Sequence, residues 1–211
     1  MWANENLVDV FVLSYNKYNV PGYHLTDTCP ERIIQDIVLI QDKTAKDRAK
    51  AREAHLMTLN QSFVCSSTSD SCITIVTDAS VLLLSTGYQA IAAWHIWHSD
   101  HYFENFRSGG LAISNDAETN AIGGAISALS GIFDSINDIK EIHIYLDSTY
   151  ALHHMLDPSI HSAQLYALES LGILSPWMEG NANHRIVLHH IPDCEDYVFE
   201  PHHAVQSFHL Y

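Results

Sequence analysis

CITIVTD, residues 72–78, and EIHIYLD, residues 141–147, are two short apolar runs that each end on an aspartate, and the elements around them decide the fold. The first is rich in β-branched residues and bounded by serines, which reads as a buried strand, and the second reads the same way. Between them lie QAIAAWHIW (89–97) and HYFENF (101–106), two further strands. Only His98 to Asp100 separates these, so the spacing predicts a hairpin. Over 116–133, Ala117, Ala121, Ala125 and Leu129 recur at helical spacing, with Ile122, Ile126 and Ile132 widening the stripe. Gly123 and Gly124 interrupt it, although small residues also let a helix approach a sheet closely. Beyond Asp147, STYALHHML (148–156) reads as a short helix stopped by Asp157-Pro158, and 161–178 as another helix. HRIVLHHIP (184–192) is a last strand and 200–209 a final helix. The order β-β-β-α-β-α-α-β-α predicts an α/β fold, a mixed five-stranded sheet flanked by helices.

Working outward, residues 72–211 form the domain, QSFVCSSTSDS (61–71) reads as a polar linker, and residues 1–60 as an accessory region. The accessory region contains a helix around 44–60 and an ambiguous stretch over 31–40. Its segment KTAKDRAKAR (43–52) holds five of the chain's 10 basic residues. Residues 71–211, by contrast, carry only Arg107, Lys140 and Arg185 against 16 acidic residues. A net charge of −15 over 211 residues argues against a simple basic nucleic-acid coat. Hydrophobic residues at 47% supply a core, and no apolar run reaches the roughly 20 residues of a membrane span. The start, MWANENLVDV, has no basic n-region of a signal peptide. Cys29, Cys65, Cys72 and Cys194 are scattered and read as reduced thiols of an intracellular protein, nuclear or cytoplasmic, without a disulfide framework or zinc ribbon.

Three carboxylates stand where this order gives them meaning: Asp78 and Asp147 at the ends of two strands, and Glu118 in the first turn of the long helix. Neighbouring strands would set the two aspartates side by side, and a helix across that face would add the glutamate. Gathered carboxylates repel, and a hard divalent cation such as Mg2+ or Mn2+ relieves the repulsion. Local roles compete with this one. Asn115 and Glu118 are spaced almost as a capping box, and both aspartates suit turns or helix N-caps.

The segments IVTDAS (75–80), NDAETNAIGGAISAL (115–129), IHIYLDSTYAL (142–152) and VLHHIP (187–192) occur in an order that resembles the type 1 ribonuclease H domain, most closely that of fungal non-LTR retroelement polyproteins. The resemblance covers about two thirds of the chain. It implies a ribonuclease H-like fold in which Asp78, Glu118 and Asp147 bind Mg2+ or Mn2+ and the RNA strand of an RNA–DNA hybrid is hydrolysed with two metal ions. It further implies Asn120 and Ser148 as contacts to the RNA 2′-hydroxyls, the groups that distinguish RNA from DNA. At the family's fourth acidic position, FEPHHA (199–204) places His203, with Glu200 nearby. Ala79 replaces a usual glycine, and Pro192-Asp193-Cys194 replaces a loop that usually carries histidine. These departures, with the acidic balance, leave a second expectation: a degenerate module of the same fold that binds without cleaving. Cys194 with His189, His190, His202 and His203 matches no zinc spacing, and Trp94, Trp97 and Trp177 read as core rather than base-stacking residues.

Overall fold

The computed structural model describes residues 30–36, 44–85, 87–108, 114–132, 138–159, 161–192 and 198–208. The loop at 193–197, with Cys194, lies outside the described residues. Strands β1 (Ile33–Asp36), β2 (Cys72–Leu84), β3 (Gly87–His98), β4 (His101–Ser108), β5 (Glu141–Leu146) and β6 (Arg185–His190) form one sheet in the order β1-β6-β5-β2-β3-β4. β2, β3 and β4 run antiparallel, whereas β5 lies parallel to β2, β6 to β5, and β1 to β6. The helices are α1 (Ala45–Ser67), α2 (Ser114–Ile132), α3 (Thr149–His154), α4 (Gln164–Gly180) and α5 (Glu200–Phe208).

Alternation along the strands divides the core into two layers. Ile73, Ile75, Trp94, Ile96, Ile142 and Ile144 face one side, where they meet Ile122 and Ile126 of α2, Leu152 of α3 and Leu174 and Trp177 of α4. Val76, Ala93 and Tyr145 face the other, where they meet Leu59 of α1 and Val205 of α5. The expected order from β2 to α5 is therefore present, and Trp94 and Trp177 are core residues, as expected.

The region before residue 72 departs from its expected form. Residues 61–67, whose composition suggests a linker, are the last two turns of α1. They are polar, but Phe63 packs edge-on against Trp97, Tyr145 and Phe199, which outweighs a run of poor helix formers. The hydroxyls that usually break helices are turned back onto the helix: Ser66 donates to the Phe63 carbonyl and Thr68 to that of Val64. A boundary at residue 60 thus falls within one helix, whose Leu59 is fully buried. The ambiguous stretch at 31–40 supplies β1, a sixth strand, and Arg32 donates to the carbonyls of Met178 and Asn181 at the end of α4. Such carbonyls lack partners within the helix, which suits a cation there.

The two mid-helix glycines are explained by close approach. A Cβ on Gly124 would stand 2.5 Å from the Trp94 ring, and one on Gly123 2.9 Å from Glu169 Oε2. Gly124→Ala is therefore expected to destabilise the fold by about 1–3 kcal/mol, because a rigid ring would have to move. Thermal unfolding checks this, at roughly 2–4 °C of Tm per kcal/mol for a chain of this size. An unchanged Tm would mean that α2 stands further from the sheet.

Candidate active site

β2 outruns its parallel neighbour. The pairing of β2 with β5 ends at Val76 opposite Tyr145, so two residues further Asp78 stands beside Asp147, which has just left the sheet. Asp78 does not end its strand, as its sequence context suggests; it lies mid-strand, where β2 continues beside β3 alone. Both aspartates share the parity of Val76 and Tyr145 and so face the α1–α5 side.

α5 completes the group, but not with the expected residue. Phe199 and Val205 are buried against the sheet, and His202, three residues from each, points inward with them. Its Nε2 lies 3.4 Å from Asp78 Oδ1 and 4.0 Å from Asp147 Oδ2, with no directed hydrogen bond. One ligand atom from each of Asp78, Asp147 and His202 falls within a 4.8 Å span. His203, about 100° further round the helix, is exposed and outside this cluster, as is Glu200. The correction from His203 to His202 follows from the stripe Phe199, His202, Val205, whose i, i+3 spacing in the sequence could have shown which histidine turns inward.

Glu118 enters from the opposite layer. It sits in α2 beside Ala117 and Ala121, and its carboxylate accepts from the Ala79 N–H at the level where β5 no longer continues. Burial, then the charges of Asp147 and Asp78, hold its pKa well above the ordinary carboxylate value. Its Oε2 is buried and has no hydrogen-bond partner. The capping alternatives do not describe these residues: Asn115 lies inside α2, and Ser148 rather than Asp147 caps α3, its Oγ accepting from the Ala151 N–H at 3.2 Å. Ser148, expected as a substrate contact, thus has a structural task.

The other expected contact is also engaged. Asn120 is 1% exposed, its side-chain oxygen accepts from Arg107 Nε and its carbonyl from Arg107 Nη2 at 2.8 Å. Arg107 also forms a bidentate pair with Glu169, so this cation of the sheet region is neutralised within the fold. Asn120 thus helps to hold Arg107 between α2, β4 and α4.

A supporting layer lies behind Asp147. His190 Nε2 donates to the Asp147 carbonyl at 3.1 Å, and His55 of α1 donates to the His190 carbonyl at 3.1 Å. Burial lowers the pKa of His190, opposed by its bond to Asp147 and reinforced by His55, so a neutral imidazole supports this turn at neutral pH. The four histidines weighed with Cys194 as zinc ligands are separated: His189 stacks on Tyr145, His190 holds Asp147, His202 joins the carboxylates and His203 faces solvent.

Neither a family model nor a curated protein matches the chain. Among solved structures, it is similar to ribonuclease H1 of the halophilic archaeon Halobacterium salinarum, at 16% identity over 57% of this chain and 86% of that one, with a TM-score of 0.40. LC11-RNase H1, isolated from compost by a metagenomic approach, is 21% identical over 65% of this chain and 91% of that one, with a TM-score of 0.43. The foamy viral protease-reverse transcriptase in complex with dsDNA is 12% identical over 64% and 89%, with a TM-score of 0.41. The fold is α/β, a mixed sheet with helices on both faces. What the site can do is decided by its own side chains.

Those side chains suit a hard divalent cation: two aspartates and an imidazole nitrogen in one cluster, and a glutamate with an orphaned buried oxygen that feels the charges of both aspartates. Without a cation, ionised Glu118 costs stability. Because its folded pKa is raised, its contribution is intact below the ordinary value of 4.5 and is lost as pH rises through the folded value. Glu118→Gln, which can still accept from Ala79, should therefore unfold at a higher temperature than the parent in metal-free neutral buffer. The difference should vanish below pH 4.5, where both side chains are neutral. Equal melting temperatures from pH 4 to 8 would show that ionised Glu118 costs no stability.

Proposed function

We propose that this chain is a ribonuclease H-type endonuclease that hydrolyses the RNA strand of RNA–DNA hybrids with Mg2+ or Mn2+. The observation that carries the reading is the convergence of Asp78, Glu118 and Asp147 with His202 where β5 ends and β2 continues. These four residues would hold the metal, which when bound supplies an activated water and neutralises charge on the phosphodiester. Asp147, at 24% side-chain exposure against 8% for Asp78, is the ligand nearest solvent and opens toward the substrate. His202 would offer Nε2 to that metal as a neutral imidazole. His190 fixes the Asp147 backbone through its carbonyl, so the carboxylate is pre-positioned.

Binding needs cations that the sheet region lacks, and the placement of α1 supports a source. His55 stands level with His190 at the carboxyl end of the sheet, while Ser66 accepts from Thr74 near the opposite end. The helix therefore runs antiparallel to β2, and residues 45–54 extend past the carboxylates by about 15 Å at 1.5 Å per residue. Lys46, Arg48 and Lys50 are exposed on this overhang. We place them, with Arg52, on the phosphates of the hybrid.

A retroelement origin is part of this proposal and rests on the four sequence segments alone. Intracellular action is likewise proposed, from the scattered cysteines. A second reading, a module that binds but does not cleave, is favoured by the 16 acidic residues against three basic ones over 71–211.

Incubation of a labelled RNA–DNA hybrid with Mg2+ or Mn2+ separates the readings. The parent should cut the RNA strand, and Asp147→Asn should lose more than the ~10–100-fold that removal of a supporting group costs. His203→Ala should retain the parent rate, and His202→Ala should not. No cleavage by the folded parent with either metal would remove the nuclease reading. In binding titrations across salt, replacing Lys46, Arg48, Lys50 and Arg52 with glutamine should flatten the slope of log K against log salt. The slope should fall by about 0.7–0.9 for each phosphate that these side chains neutralise. An unchanged slope would take α1 off the substrate.

A further inference from the structure

At the end of the sheet opposite the carboxylates, β2 and β5 begin side by side with Cys72 paired to Glu141. His143, two residues along β5, shares the face of Glu141. One ligand atom from each of these three residues lies within 4.8 Å of the others. They line a cleft of about 330 Å³ whose far wall is α1, with Thr58, Ser62 and Cys65 facing in. The Asp78–Asp147–His202 centre takes no part in this cluster, and the mechanism above leaves it without a task.

We infer that Cys72, Glu141 and His143 form a second metal site, selective for a borderline cation of the zinc class. Three features support it. A thiolate, an imidazole and a carboxylate make a mixed sulfur, nitrogen and oxygen set, which suits Zn2+ and is foreign to Mg2+ and Ca2+. The second ring nitrogen of His143 is already engaged: Nδ1 lies 3.0 Å from His189 Nε2, and the two rings are stacked 11° apart. A histidine that ligates through Nε2 keeps its proton on Nδ1 and donates it to a neighbour, and His189 Nε2 is placed to accept. His143 Nε2 meanwhile faces Glu141 Oε2 at 3.2 Å, while Glu141 Oε1 lies 3.9 Å from Arg185 Nη1. In that tautomer a lone pair and a carboxylate oxygen point at each other, an arrangement that a cation between them stabilises.

Three protein ligands leave the fourth position open to the cleft, on the side where Cys65 stands. A cation here would tie the first residues of β2 to those of β5, beneath the C-terminal end of α1.

Cobalt tests this on the full-length, chelator-treated, reduced protein, because a thiolate bound to Co2+ gives a charge-transfer band in the near ultraviolet. Neither the Asp78–Asp147–His202 group nor the His154–Asp157–His161 group contains sulfur, so both are silent in that band. The parent should develop the band until about one cobalt per chain is bound, and an equimolar addition of Zn2+ should bleach it. Asp78→Asn should keep the band, whereas Cys72→Ser and His143→Gln should lose most of it. If Cys72→Ser fails to fold, His143→Gln, at a side chain 13% exposed, still decides the matter. A parent with no thiolate band, or a band of full intensity in His143→Gln, overturns the site.

Discussion

The gathering of three carboxylates where one strand of the sheet ends is the constraint around which this molecule is arranged. Asp78, Glu118 and Asp147 come from a strand, a helix on one face of the sheet and the turn after a second strand, and each is anchored by packing that has nothing to do with charge. The hydrophobic layers on both faces hold them together, and Glu118 bears the cost, its pKa raised first by burial and then by the charges of Asp147 and Asp78. Such an arrangement is stable in a folded protein only because the surrounding core over-determines it, and a bound cation would relieve it. At the proposed cation site β5 ends at Leu146 while β2 runs on to Leu84.

The fold was legible in the sequence wherever hydrophobic periodicity carried the signal. Buried strands such as CITIVTD and EIHIYLD, and the alanine and isoleucine stripe of α2, are read from side chains that the core itself selects. The end of α1 was not legible, because QSFVCSSTSDS has the composition of a loop and becomes helical only through Phe63 docking among Trp97, Tyr145 and Phe199. That docking joins residues more than thirty positions apart and has no local trace. β1 was obscure for the same reason: a four-residue edge strand is defined by its partner rather than by itself.

At the site, strand order located the aspartates and helical spacing located Glu118. Alignment by motif selects His203, whereas the amphipathic face of α5 selects His202. Asn120 and Ser148 also have partners within the fold: the Asn120 oxygen accepts from Arg107, thirteen residues away, and Ser148 caps α3. The histidines of VLHHIP gained their roles from neighbours invisible in sequence, Tyr145 beneath His189 and the Asp147 carbonyl beside His190.

The central claim is that Asp78, Glu118, Asp147 and His202 together form a divalent-cation site. Calorimetric titration of Mn2+ into the metal-free protein tests it most directly, with the parent compared with Asp78→Asn and with His203→Ala. Saturable binding in the parent and in His203→Ala, abolished or greatly weakened in Asp78→Asn, is the predicted result. Equal Mn2+ binding by the parent and a folded Asp78→Asn would contradict it.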